Sequence, residues 1–190
     1  MQQFENHVYE KARSCILAFK NSVLHDVYVI SFYFFNTGDG RELILAADYN
    51  TNERVNSCVP ADAEARWNYA FWLQNETCTI GETPEEAALR EAWIKSLGFW
   101  FTEEEFEQDI ERCCELTEKI QDQFISLCSR VARKLHDEGV IQNKFGRPIP
   151  ILIHELEYYE RLAEAARQAN PPGLTTEFEA WIRAKTPVGE

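Results

Sequence analysis

Val27-Tyr28-Val29-Ile30-Ser31-Phe32-Tyr33-Phe34-Phe35 is followed by Asn36-Thr37-Gly38-Asp39-Gly40 and then by a second apolar run from Glu42 to Tyr49. The first run is β-branched and aromatic, which fits a strand. The five residues between tolerate positive φ, so the chain reverses there and the two runs pair as a hairpin. Both faces of the first run are apolar, which argues for a central strand covered on both sides.

Helical patterns surround this hairpin. Phe4, Val8, Ala12, Cys15, Ile16 and Phe19 recur at helical spacing and predict an amphipathic helix over Gln3 to Lys20. Thr83-Pro84-Glu85-Glu86 opens another, with threonine as N-cap, proline in the first turn and acids at the positive end of the dipole; Gly98 stops it after Leu97. Thr102 caps the longest, over about 103–138. There Phe106, Ile110, Cys113, Ile120, Phe124, Leu127, Val131 and Leu135 hold one face, Thr117 is the polar step, and Gly139 is the stop. Ile149 to His154 reads as a short strand whose Pro150 suits an edge or a strand start. Helices from Leu156 to Ala169 and from Thr175 to Ala184 complete the chain, while Asn50 to Pro60 reads as irregular. No repeat or long linker divides the 190 residues, so the expectation is one α+β domain over 1–190, a small sheet covered by several helices.

The bulk charge excludes more than it identifies. With 32 acidic against 19 basic residues the net is -13, a field that repels phosphate backbones and anionic lipid and attracts a cationic partner. No nucleic-acid or membrane partner is expected. Met1 to Asn6 lacks the basic and apolar regions of a signal peptide. Six cysteines contain no C-x-x-C pair, and Cys15, Cys113 and Cys128 fall on apolar helical positions. These features point to a reducing cytoplasm, where the sequon Asn75-Glu76-Thr77 carries no meaning.

Familiar site motifs are approached but not met. His154-Glu155-Leu156-Glu157-Tyr158 begins like the zinc motif H-E-x-x-H, but Tyr158 replaces the second imidazole needed to grip a metal. Asp48-Tyr49-Asn50-Thr51-Asn52 begins like a calcium loop, but Glu53 and Val59 stand where glycine and a bidentate glutamate belong. His136 sits in the last turn of the long helix, where the dipole favours it. There is no G-x-S-x-G elbow and no glycine-rich phosphate loop, so no catalytic residue, metal or cofactor is expected.

Arg66-Trp67-Asn68-Tyr69-Ala70-Phe71-Trp72-Leu73-Gln74-Asn75-Glu76 is the most unusual stretch, and its pattern fits a strand and a helix face equally. It is read either as a buried aromatic cluster or as a partner-binding surface, since Trp, Tyr and Arg make interface anchors. A second cluster, Phe99-Trp100-Phe101, follows Gly98, and three consecutive aromatics cannot all face one core. Arg66, Trp67, Trp72 and Trp100 are therefore the candidate binding residues.

Taken with Tyr28-Val29-Ile30-Ser31-Phe32-Tyr33, Arg66-Trp67, Trp72, Leu135-His136-Asp137-Glu138-Gly139-Val140 and Asn170-Pro171-Pro172, the chain resembles a bacterial family known only as domain of unknown function four-three-zero-three. That family usually carries a proline and an acid between the tryptophans, where Tyr69, Ala70 and Phe71 stand here; the departure argues against a charged role for the segment. The resemblance implies an α+β domain without an assigned activity. Genes of such families often lie near toxin and immunity loci.

The leading expectation is a non-catalytic protein-binding domain, an immunity protein that neutralises a basic toxin by occlusion, with an acidic face steering and aromatic anchors holding. The alternatives are an enzyme with a composite cleft of His154, His136 and Glu155 near the tryptophans, or a structural subunit of an assembly.

Overall fold

The computed structural model describes residues 2–74 and 78–185. Asn75 and Glu76, the end of the tryptophan stretch, lie outside the described residues, as does the sequon Asn75-Glu76-Thr77. The described elements run α1 (Gln2–Ala18), β1 (Val27–Phe35), β2 (Ile44–Thr51), α2 (Asn52–Asn56), α3 (Ala63–Trp67), a 3-10 turn (Tyr69–Phe71), β3 (Thr79–Ile80), α4 (Pro84–Leu97), α5 (Glu103–Gln108), α6 (Ile110–Asp137), α7 (Val140–Phe145), β4 (Ile151–His154), α8 (Glu160–Ala169) and α9 (Thr176–Lys185). This is an α+β fold with one long helix.

The sheet is mixed, in the order β3-β2-β1-β4. β1 and β2 form the expected antiparallel hairpin, with Ser31 opposite Asp48 and Tyr33 opposite Ala46. β4 returns parallel to β1, placing Leu152 beside Ser31 and His154 beside Tyr33. β1 is thus interior to the sheet, as its two apolar faces require, and β4 is an edge that starts just after Pro150, which suits either an edge or a strand start.

One face of the sheet meets α1 and α6. There Phe34 packs edge-on against Phe124, which also contacts Phe4 of α1 and Trp93 of α4. The other face carries α3, the 3-10 turn and α9. The register of β1 slips between Val27 and Val29, leaving Tyr28 without a partner in the β2 register. Such a bulge re-aims a side chain, and the Tyr28 ring contacts Trp67 and Trp72 on this second face.

Local signals account for the helix ends. Thr83 and Glu86 complete a capping box on α4, and Gly98 closes it at φ 78°. The stretch over 103–138 is not one unbroken helix. Asp109 leaves helical geometry (φ -147°, ψ 76°), ends α5 and caps α6 by accepting from the Arg112 N–H at 3.1 Å. The tryptophan stretch is neither a strand nor one helix face, but a short helix, a break at Asn68 and a 3-10 turn. Asn50 to Pro60, read as irregular, contains α2, capped by Thr51. The helix expected from Leu156 begins only at Glu160.

Candidate functional site

Asp62 starts α3 by accepting from the Glu64 and Ala65 N–H groups, which sets Arg66 and Trp67 on its last turn. Trp67 is 6% exposed and Trp72 2%. Both indoles are interior. Trp67 packs between Tyr28 and Phe178 of α9, and Trp72 lies against Tyr28, Tyr69 and His154. The break between α3 and the 3-10 turn is fixed by polar groups: Trp72 Nε1 donates to the Arg66 carbonyl at 2.9 Å, the Tyr28 hydroxyl donates to the same oxygen, and the Tyr158 hydroxyl accepts the Tyr69 N–H at 2.8 Å. Arg66 lies at the boundary. Its guanidinium sits over the rings of Tyr28, at 4.2 Å, and Trp67, at 5.0 Å, and pairs with Glu177 at 3.8 Å.

Beneath this layer His154 is 1% exposed, and its Nε2 meets the Ser31 hydroxyl at 2.8 Å. Nδ1 has no hydrogen-bond partner among the described residues. Tyr33, Tyr69, Trp72 and Tyr158 surround the ring. Desolvation alone depresses its pKa to about 3, so the ring is neutral at physiological pH.

The other members of the composite cleft are engaged elsewhere. His136 Nε2 donates to Asn170 Oδ1 at 3.0 Å, and burial lowers its pKa against the pull of that bond. Asn170 also accepts the Ile151 N–H and donates to the carbonyls of Ile151 and Ala166, each at 2.7 Å, so Asn170 is a clamp on β4. Glu155 accepts from Tyr159 at 2.6 Å and from Gln121 at 2.8 Å. No cluster of three His, Cys, Asp or Glu side chains suited to a metal occurs among the described residues.

Trp100 occupies different ground. It is half-buried and walls a cavity of about 410 Å³ with Asp39, Arg41, Glu42, Glu91 and Glu103. Arg41 lies over Trp100 at 5.4 Å and Phe101 at 4.6 Å, donates to the Phe101 carbonyl at 2.6 Å and pairs with Asp39 and Glu103. Lys95 approaches the same indole at 5.0 Å. Trp100 is thereby held in one orientation with part of its surface open.

From Trp100 the surface continues onto α5 and the first half of α6. Residues 103–119 carry eight carboxylates and two cations, and seven of the eight carboxylates are exposed. Glu111, Glu115 and Glu118 share one helix face. Ile110, at the α5–α6 break, is 57% exposed among them.

The chain matches no family model, no curated protein and no solved structure. Its site must be read from geometry. Of the four candidate binding residues, Arg66 and Trp100 reach the surface, while Trp67 and Trp72 support Arg66 from inside. Sequence reading missed Ser31 and Arg41. Ser31 did leave a signal: a hydroxyl inside a strand covered on both faces must find a partner. No helix among the described residues is long and apolar enough to cross a membrane.

Proposed function

We propose that this chain is a non-catalytic protein-binding domain, an immunity protein that occludes a basic toxin domain. The observation that carries the reading is the face formed by Trp100, α5 and the first half of α6. It holds a net -6 of the chain's -13 within 17 residues, around the exposed side chain of Ile110.

Such a face does two jobs. Its carboxylates accelerate encounter with a cationic surface and repel anionic competitors. Ile110 and the open edge of Trp100 then supply apolar contact, and the clamping of Trp100 by Arg41 and Lys95 lowers the entropy lost on docking. Occlusion of this kind needs no cofactor and no bond-making step.

The test is co-expression with the product of the adjacent gene. Rescue of growth by the wild-type chain, with a 1:1 complex whose association slows as salt rises, is the expected result. The triple variant Glu107→Lys, Glu111→Lys, Glu115→Lys should fold normally and lose both binding and rescue. A harmless neighbouring product, or a complex indifferent to the triple reversal, overturns the reading.

A further inference from the structure

Cys15 lies on the buried face of α1 and Cys78 lies just before β3, 63 positions later. They meet around one residue of β2. Cys15 Sγ is 3.5 Å from the Ala47 carbonyl oxygen, and the Ala47 N–H donates to the Cys78 carbonyl at 2.8 Å. Cys15 Sγ and the backbone of Cys78 thus flank the same residue of β2, and each thiol shifts the other's titration.

Their surroundings differ. Cys78 is half-buried and Cys15 is buried. Lys11, one helical turn before Cys15, is exposed at this edge and reaches Glu86 at 3.5 Å. Proximity to Cys15 draws the Cys78 thiol below its ordinary value, opposed by burial and helped by the Lys11 charge. The same contact, with burial, pushes the Cys15 thiol upward. The more accessible sulfur is thus the one drawn toward thiolate, while its buried neighbour keeps its proton on the Ala47 carbonyl. A nucleophilic sulfur beside a second thiol is the arrangement of an attacking and a resolving cysteine.

We propose that Cys15 and Cys78 form a reversible redox site that consumes a hydroperoxide and closes to a disulfide joining α1 to the start of β3. In the first step the Cys78 thiolate attacks one peroxide oxygen. The O–O bond breaks, Cys78 becomes a sulfenic acid, and the departing oxygen leaves as water after protonation, or as an alcohol from an organic peroxide. In the second step Cys15 sulfur attacks Cys78 sulfur. The S–S bond forms, the S–O bond breaks, and the Cys15 proton leaves with the hydroxyl as a second water. The two thiols lose two electrons in total and the peroxide gains two. A dithiol reductant reverses the closure by thiol–disulfide exchange.

The test treats the folded protein with a few equivalents of hydrogen peroxide, blocks remaining thiols with an alkylating reagent and maps the peptides. The expected result is simultaneous loss of two free thiols, a mass lower by two hydrogens, a peptide linking Cys15 to Cys78, and reversal by dithiothreitol. Cys15→Ala should halt the reaction at a Cys78 sulfenic acid that dimedone traps. Cys78→Ser, a change at a half-buried position that spares the core, should abolish the disulfide and leave Cys15 reduced. Exposed Cys114 and half-buried Cys58 are internal controls. Oxidation of Cys114 while Cys15 and Cys78 both stay reduced overturns the proposal. So does an undiminished disulfide yield in the Cys78→Ser variant.

Discussion

His154 Nε2 and the Ser31 hydroxyl lie 2.8 Å apart on neighbouring parallel strands, under a lid of Tyr69 and Trp72. This buried pair makes folding depend on pH. In the unfolded chain the imidazole takes a proton near its ordinary value of 6.5; in the fold, desolvation delays this to about 3. Between those values the unfolded state binds more protons, so stability is complete above 6.5 and is lost as pH falls. One such ring contributes about 1.4 kcal/mol per pH unit within that window. His136, also depressed by burial, adds to the slope. Urea unfolding from pH 7.5 to 4.5 should show the loss in the wild type and a slope shallower by about one proton in His154→Gln. Identical slopes would refute the assignment.

The two tryptophans of the 66–74 stretch should report on stability, and Trp100 on binding. Trp72→Phe keeps most of the buried ring and removes one of two donors to the Arg66 carbonyl, for a cost of about 1 kcal/mol. Trp67→Ala opens a cavity between Tyr28 and Phe178 and should cost about 3–5 kcal/mol. Trp100→Ala should change the denaturation midpoint least of the three and weaken the complex most. A reversed order, read by urea titration and by calorimetric binding, would move the interface to the α3 side.

What was legible in the sequence follows the range of the forces involved. Val27–Phe35 and Pro84–Leu97 match their expected limits because a β-branched and aromatic run ended by a turn, the Thr83–Glu86 capping box and Gly98 act within a few residues. Asp109 was hidden because Phe106 and Ile110 continue the apolar stripe across the break. The tryptophan stretch could not be read locally at all. Its shape is set by Tyr28, which reaches it through a bulge, and by Tyr158, 89 residues from Tyr69. The Cys15–Cys78 contact likewise exists only because α1 and β3 converge on β2.

Asn170 shows a motif residue acting through backbone. It is fully buried and satisfies both the N–H and the carbonyl of Ile151, while binding His136. Asn170→Ala leaves two buried backbone groups at the edge strand unpaired, at about 1–3 kcal/mol each. The variant should lose about 3 kcal/mol in urea, and amide exchange should accelerate first at Ile151. Exchange that rises uniformly across the sheet would argue against a local clamp.

Thr117, the polar step in the apolar face of α6, is explained by Gly40 of the hairpin turn. A Cβ added at Gly40 would collide with Thr117 Cγ2 and stand 3.2 Å from its Cβ. The hairpin and α6 therefore touch through a missing side chain on one and a small β-branched one on the other. Gly40→Ala should destabilise by about 1–3 kcal/mol through overpacking. Thr117→Ala alone should cost about 1 kcal/mol, since it removes a methyl and a hydroxyl at a half-buried site. The double variant clears the severe clash and leaves only a tight contact, so it should be more stable than Gly40→Ala by itself. A coupling energy of about 1 kcal/mol or more in this cycle would establish the contact, whereas additive single effects would place the cost of Gly40→Ala in the turn itself.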